Sequence, residues 1–124
     1  NMQLQNISII GYENEFVQVL INLLNNAKDA IISKNSVKGF IQVEVTKDEK
    51  ENILTIISDN GGGIQEDIIT KIFNPYFTTK FKSNGTGIGL YMSKMIIEEH
   101  MMGKLTINNS IHGAIFTILI PNFK

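Results

Sequence analysis

Two asparagines are the first residues of this chain whose types and spacing could do chemistry. Asn22 and Asn26 are four residues apart, so a helix would place both carboxamides on one face, about 6 Å from each other. A carboxamide oxygen is a neutral, hard ligand that suits Mg²⁺ already carrying phosphate oxygens and waters. The alternative is a polar helix surface, although asparagine is a poor helix former.

An acidic residue followed by three glycines is the second candidate. Asp59 comes at the end of an apolar run and precedes residues 60–64 (NGGGI). A carboxylate at a strand end can accept a hydrogen bond from the exocyclic amine that distinguishes adenine from guanine. Glycines would let the backbone approach a flat base closely, because they have no Cβ. The alternative is a plain turn, which favours the same residue types.

A glycine-rich run at residues 85–90 (GTGIGL) opens a predicted helix. Its backbone N–H groups could face phosphate oxygens, and the helix N-terminus would add partial positive charge. The run is not a P-loop, because no Gly-Lys-Ser/Thr follows it. It also lacks the βαβ unit and the later acidic residue of a dinucleotide-binding motif.

The segment before this run contains aromatic residues and a lysine. Phe73, Tyr76 and Phe77 could anchor the base of a lid, and Lys80 could reach a terminal phosphate. A surface loop with its aromatic side chains tucked beneath it explains the same pattern, so both interpretations stay open at this point.

Composition limits the classes of protein that the chain can be. Its 124 residues predict one domain, 1–124, which we interpret as a fragment of a longer protein. Eleven basic and twelve acidic residues give no nucleic-acid or membrane footprint. Without cysteine there is no disulfide and no thiolate site. No apolar run reaches the ~18 residues of a membrane span.

Hydrophobic periodicity predicts the elements that must position these residues. An apolar stripe predicts a helix from residue 13 or 14 to about 33; it consists of Phe16, Leu20, Leu23, Ala27 and Ile31. Strands are predicted at 7–10, 41–45, 53–58, 104–108 and 114–120, and further helices at 65–72 and 89–99. The prediction is an α+β fold, with a mixed sheet of about five strands and helices packed on one face.

Four segments in this order resemble the ATP-binding domain of sensor histidine kinases. Residues 22–30 (NLLNNAKDA), 59–64 (DNGGGI), 73–80 (FNPYFTTK) and 85–90 (GTGIGL) are similar to the family's asparagine, first glycine, phenylalanine and second glycine boxes. The resemblance runs from residue 13 to residue 121. It implies a two-layer α/β sandwich, the Bergerat ATP-binding fold shared with type II topoisomerases, mismatch-repair ATPases and ATP-driven chaperones.

The resemblance also implies roles for individual residues. Asn26 is expected to ligate Mg²⁺ with Asn22 beside it on the phosphates, and Asp59 is expected to recognise the adenine amine. The base pocket is expected to be shaped by Gly61, Gly63 and Ile64, with Thr117 supporting it through water. The other residues expected to bind the nucleotide are Asp29 (a position where some members carry lysine), Phe77, Lys80, Gly85, Thr86, Gly87, Ile88, Gly89 and Leu90.

Asn22 and Lys80 are the expected catalytic residues. Related ATPases carry at the position of Asn22 a glutamate that acts as general base on water, and an amide cannot take that proton. We therefore expect slow ATP hydrolysis and transfer of the γ-phosphate to a histidine of a protein acceptor. Neither His100 nor His112 lies in a sequence that resembles the family's acceptor box.

Partners and location follow from the same resemblance. The expected partner is an upstream dimerisation and histidine-phosphotransfer domain of the same protein, with a response regulator as an indirect partner and no nucleic acid. The isolated domain is expected to be a monomer, the full-length protein a homodimer, and the location cytoplasmic with a parent that a membrane can anchor. The alternatives are a conformational ATPase module or a serine/threonine kinase on the same fold.

Overall fold

A computed structural model of the chain describes residues 13–34, 38–74 and 89–121. Its elements, in chain order, are α1 (Glu13–Lys34), β1 (Ile41–Lys47), β2 (Ile53–Asp59), α2 (Glu66–Ile69), α3 (Gly89–Met95), a π-helical segment (Ile96–His100), β3 (Lys104–Asn109) and β4 (Ala114–Ile120). The predicted α+β fold is confirmed. The strand expected at 7–10 lies outside the described residues.

The sheet has the order β1-β2-β4-β3, and every neighbouring pair is antiparallel. The prediction of a mixed sheet with about five strands therefore differs from the described part, which contains four antiparallel strands. For two of the three pairs the reason is the connection: β1–β2 and β3–β4 are hairpins, and short hairpin turns join only antiparallel strands. Asp48 shapes the first turn, because its Oδ1 accepts hydrogen bonds from the amides of Lys50 and Asn52, each at 2.9 Å.

The core lies between one face of the sheet and the helices. Along β2 and β4 every second residue is buried, as expected for strands with one face against a core. From α1 the buried residues are Phe16, Val19, Leu20, Leu23 and Ala27. Burial of each large apolar side chain stabilises the fold by about 1.5–3 kcal/mol. Four members of the predicted stripe are thus confirmed as core; Ile31 is only half-buried, and Val19 was missed.

The predicted helix at 89–99 ends in a widened turn. The amide of Met101 donates to the carbonyl of Ile96 at 3.0 Å, and the amide of Gly103 donates to Ile97 at 2.8 Å. At the end of this turn the backbone of Met102 adopts a left-handed conformation, with φ 58°. A Cβ on Gly103 would collide with the carbonyl oxygen of Leu119, so glycine is required where the chain passes β4.

Among the helices of the described ranges, none has both the length and the apolar character that crossing a bilayer demands.

Candidate functional site

Asn22 joins the middle of α1 to the beginning of α3. Its Nδ2 donates to the hydroxyl of Ser93 at 3.1 Å and to the carbonyl of Gly89 at 3.4 Å. Its Oδ1 accepts a hydrogen bond from Nε2 of Gln18, one turn earlier, at 3.1 Å. Because a backbone carbonyl can only accept, the nitrogen of the Asn22 amide must face α3. The helix carrying the two asparagines is therefore fastened to the segment that follows the glycine run.

Asn26 lies one turn further along the same face of α1 and is half-buried. The structure gives its side chain no hydrogen bond to the described residues, so the carboxamide oxygen is available to another group. Gln18, Asn22, Asn26 and Asp29 form a polar stripe along α1. Asp29 is also half-buried, and it has a partner of its own. The stripe thus presents one amide that is held in place, and beside it a second amide that makes no hydrogen bond to the described part of the chain.

Asp59 ends β2 and is only 3% exposed. Its Oδ1 accepts hydrogen bonds from the amide of Gly61 at 2.8 Å and from the amide of Ala114 at 3.4 Å. Within the described ranges no donor reaches Oδ2. A buried carboxylate normally has its acceptors satisfied, so the second oxygen of Asp59 is suited to a donor supplied by a ligand.

Two glycines allow close approach around Asp59. A Cβ on Gly113 would collide with both the carbonyl and the carboxylate oxygens of Asp59. A Cβ on Gly61 would lie 2.8 Å from Cβ of Ala30 and 2.9 Å from the amide nitrogen of Ile31. The turn after β2 therefore packs directly against the C-terminal part of α1, which brings Asp59 to the same side of the sheet as the asparagines.

Phe73 is the described member of the aromatic segment. Its ring packs edge-on against Phe116, with centroids 6.4 Å apart at an interplanar angle of 78°. The ammonium of Lys94 lies 4.8 Å from the Phe73 centroid, and it also pairs with Glu98 at 3.0 Å. Such edge-on and cation–π contacts add to the stabilisation from burial. Phe73 is therefore fixed on the core at the point where the segment begins.

Several predicted site residues lie outside the described ranges. They are Phe77, Lys80, Gly85, Thr86, Gly87 and Ile88. Gly89 and Leu90 open α3; the carbonyl of Gly89 accepts from Asn22, and Leu90 packs against the core. Gly63 and Ile64 belong to the turn after Asp59, where Gly62 and Gly63 have φ of 99° and 82°.

The water-mediated role of Thr117 stays a prediction, and the strand pairing gives the face on which Thr117 lies. Thr117 pairs with Ile56 of β2, whereas Phe116 pairs with Ile57. Paired residues share a face and neighbours alternate, so Thr117 lies on the face opposite to Ile57 and Asp59. It cannot reach Asp59 directly. The group of β4 that does so is the amide of Ala114.

The residues that hold this site together were not predicted from the sequence. Ser93 is fully buried and accepts from Asn22, while Gly113 and Ala114 close around Asp59. A serine in an apolar helical run and a glycine before a strand are the signals that could have found them. Which strand contacts Asp59 depends on the register of the sheet, and a single sequence does not give that register.

The donor set in the described part of the chain suits a cation that arrives with its own oxygen ligands. No group of three or more His, Cys, Asp or Glu residues there could hold a metal ion. Mg²⁺ commonly keeps several waters and binds through few protein oxygens together with phosphates. The carboxamide of Asn26, to which none of the described residues bonds, fits this role.

Comparison with known proteins defines the class. The family described as "Histidine kinase-, DNA gyrase B-, and HSP90-like ATPase" matches residues 11–124. The chain therefore belongs to this family of ATP-binding ATPase domains. Within the family it is a catalytic domain of the histidine kinase type, as its relatives indicate.

The relatives are sensor proteins. The chain is 34% identical to the two-component sensor PprA of Pseudomonas aeruginosa over 94% of its own residues and 13% of PprA. It is 38% identical to the sensor histidine kinase ZraS of Salmonella typhimurium over 87% of its residues and 22% of ZraS. The chain thus spans less than a quarter of these two proteins.

Solved structures agree with this assignment. The nucleotide-free catalytic domain of the histidine kinase ThkA matches with a TM-score of 0.70 and 36% identity, over 84% of this chain and 64% of that one. The mycobacterial sensor histidine kinase MprB matches with a TM-score of 0.78 at 21% identity, over 91% and 76%, which is a likeness of fold. The resemblance to histidine kinase domains is confirmed over the alternatives.

Proposed function

We propose that this domain binds ATP with Mg²⁺ and transfers the γ-phosphate to a histidine on a separate domain of the same protein. The proposal extends the family assignment from the domain to a reaction. It assigns the base to Asp59 and the phosphates to the space between α1 and the beginning of α3.

The environment of Asn22 carries the proposal. Its amide nitrogen faces the carbonyl of Gly89 at 3.4 Å, so a carboxylate in its place would put two acceptors against each other. The nearest acidic residue further along this stripe is Asp29, about 10 Å away along the helix axis. A side chain able to deprotonate water is therefore missing from this position, which favours a protein acceptor over water.

Asp59 supports the choice of adenine. Oδ1 is occupied by two backbone amides, which fixes the carboxylate and leaves Oδ2 as an acceptor. Adenine presents an amine at the edge where guanine presents a carbonyl. A fixed acceptor in a buried site discriminates between the two, because the wrong base leaves polar groups unpaired.

The cation is assigned to Asn26. Its carboxamide oxygen would hold Mg²⁺, which supplies positive charge to the phosphates when bound. The protein itself positions this oxygen by helix geometry, one turn from the anchored Asn22. Lys80, outside the described ranges, stays a prediction as the second group that balances phosphate charge.

The partners are also proposals. The relatives are several times longer than this chain, which supports an upstream dimerisation and phosphoacceptor domain in the same protein. A response regulator would receive the phosphate from that domain. Because the substrate is ATP, we propose that the domain works on the cytoplasmic side, whether or not a membrane anchors the parent.

A phosphotransfer assay tests the function. The domain is incubated with Mg²⁺, γ-labelled ATP and the phosphoacceptor domain of the parent protein, and the label on protein is measured before and after acid treatment. Acid-labile, base-stable label on the acceptor domain is expected, since phosphohistidine is lost in acid. Acid-stable label, or label released only as inorganic phosphate, would contradict the proposal.

Asn26→Ala and Asn25→Ala make a matched pair for the metal assignment. Asn25 is an exposed neighbour on the same helix, so both changes alter helix propensity equally. Asn26→Ala is expected to abolish Mg²⁺-dependent ATP binding measured by calorimetry, whereas Asn25→Ala is expected to retain it. Equal affinities for the two variants would remove Asn26 from the site.

A further inference from the structure

The end of the β3–β4 hairpin holds the glycine turn that follows Asp59. The side chain of Asn109, the last residue of β3, makes two hydrogen bonds to one residue of this turn. Its Oδ1 accepts from the amide of Ile64 at 2.8 Å, and its Nδ2 donates to the carbonyl of Ile64. From the hairpin turn, the carbonyl of His112 also accepts from the amide of Gly62 at 3.2 Å.

The glycine turn depends on these contacts for its shape. Residues 60–64 belong to neither a helix nor a strand, and Gly62 and Gly63 both have positive φ. Glycine has the largest conformational freedom of all residues, so three in succession do not fix a backbone by themselves. The Asp59 carboxylate fastens the start of the turn at Gly61, and Asn109 fastens its end.

We propose that Asn109 is a positioning residue for base recognition. By holding Ile64, it keeps the glycine turn at a fixed distance from Asp59 and so sets the width of the base pocket. This inference rests on the proposed function, and it adds to that site a specificity residue from the β3–β4 hairpin.

The chemistry of Asn109 suits this role. A carboxamide has one acceptor and donors on the same plane, so it can pair with both the N–H and the C=O of a single residue. Asn109 is exposed and contributes nothing to the apolar core, so its removal should change the turn and leave the rest of the fold in place. Asn108, beside it on β3, pairs with Ile115 and points to the other face.

The test compares Asn109→Ala with Asn108→Ala in the same chain. ATP and GTP affinities are measured by calorimetry in the presence of Mg²⁺, and unfolding by urea is measured in parallel. Asn109→Ala is expected to weaken ATP binding about tenfold, as the loss of two neutral hydrogen bonds implies. GTP binding should change less, so the ATP-over-GTP preference falls. Asn108→Ala should match the unchanged chain in both.

A conservative variant separates positioning from general stability. Asn109→Gln keeps the carboxamide on a longer side chain and is expected to recover most of the ATP-over-GTP preference. If Asn109→Ala fails to fold, Asn109→Gln is the variant that tests the inference. An unchanged ATP-over-GTP preference in Asn109→Ala would overturn the inference. If Asn109→Ala misfolds, an Asn109→Gln variant that does not recover the ATP-over-GTP preference would overturn it as well. Failure of the unchanged chain to bind ATP would instead sink the proposed function.

Discussion

Replacing Asp59 by asparagine changes one atom of the site that the account depends on most. The new carboxamide would still offer an oxygen to the amides of Gly61 and Ala114, which now bond to Oδ1 at 2.8 and 3.4 Å. The turn and β4 should therefore stay in place. The change falls on Oδ2, where an acceptor is replaced by an NH₂ donor.

The magnitude follows from the chemistry of that atom. A hydrogen bond to a charged group contributes about 1.5–3 kcal/mol, and a buried donor left unpaired costs about 1–3 kcal/mol more. Asp59 is 3% exposed, so water cannot easily relieve two opposed donors. We expect a loss of about 3 kcal/mol in ATP binding, which corresponds to roughly a hundredfold or more in Kd.

Calorimetric titration with ATP and GTP measures this effect, with Ser58→Ala as the matched control on the other face of β2. Asp59→Asn should lose ATP affinity without a comparable loss for GTP, whose carbonyl can accept from the new NH₂. Ser58→Ala should leave both affinities unchanged. An Asp59→Asn variant that keeps its full preference for ATP would refute the adenine assignment.

Three further changes test the account of stability by urea unfolding. Thr55→Val should stabilise the fold by about 1 kcal/mol, because the buried Thr55 hydroxyl has no partner in the described part of the chain. Thr55→Ala removes a buried methyl group as well as the hydroxyl, so it should not stabilise the fold. Met102→Gly should stabilise the fold by about 0.5–1 kcal/mol, because Met102 is 66% exposed and has a positive φ that glycine adopts without strain. The control is Met92→Gly at an exposed helical position, which should destabilise the fold. Desolvation raises the pKa of Asp48, but hydrogen bonds from Asn52 and Lys50 outweigh it and hold this pKa below its ordinary 3.8. The Asp48 carboxylate therefore contributes fully to the free energy of unfolding above about pH 4. This contribution is lost as the pH falls through the lower folded-state pKa, so Asp48→Asn should flatten the acid side of the curve of unfolding free energy against pH.

The sequence predicted the elements well where a strong local pattern existed. The apolar stripe predicted the first helix as residue 13 or 14 to 33, and α1 is Glu13–Lys34. The strand predicted at 114–120 has the same bounds in the structure. The first helix carries an apolar stripe at helical spacing, and β4 is a nearly continuous apolar run bounded by Gly113 and Pro121. Both signals are local.

The arrangement within the site was less predictable, because it depends on pairing between distant segments. The sequence predicts a water-mediated role for Thr117 at the base pocket but does not show its face of the sheet; the pairing with Ile56 puts Thr117 on the face opposite to Asp59. β4 is apolar at almost every position, so its sequence does not show which face is buried. The hydrogen bonds from Asn22 to Ser93 and from Asn109 to Ile64 join residues 71 and 45 positions apart. Patterns of neighbouring residues do not predict such contacts.

A crystal structure of the domain with Mg²⁺ and a non-hydrolysable ATP analogue would show whether Asp59 and Asn26 form the nucleotide site. The account predicts the adenine amine within hydrogen-bond distance of Asp59 Oδ2 and the metal on the carboxamide oxygen of Asn26. A nucleotide bound elsewhere, or a base turned away from Asp59 with the metal held by other side chains, would contradict it.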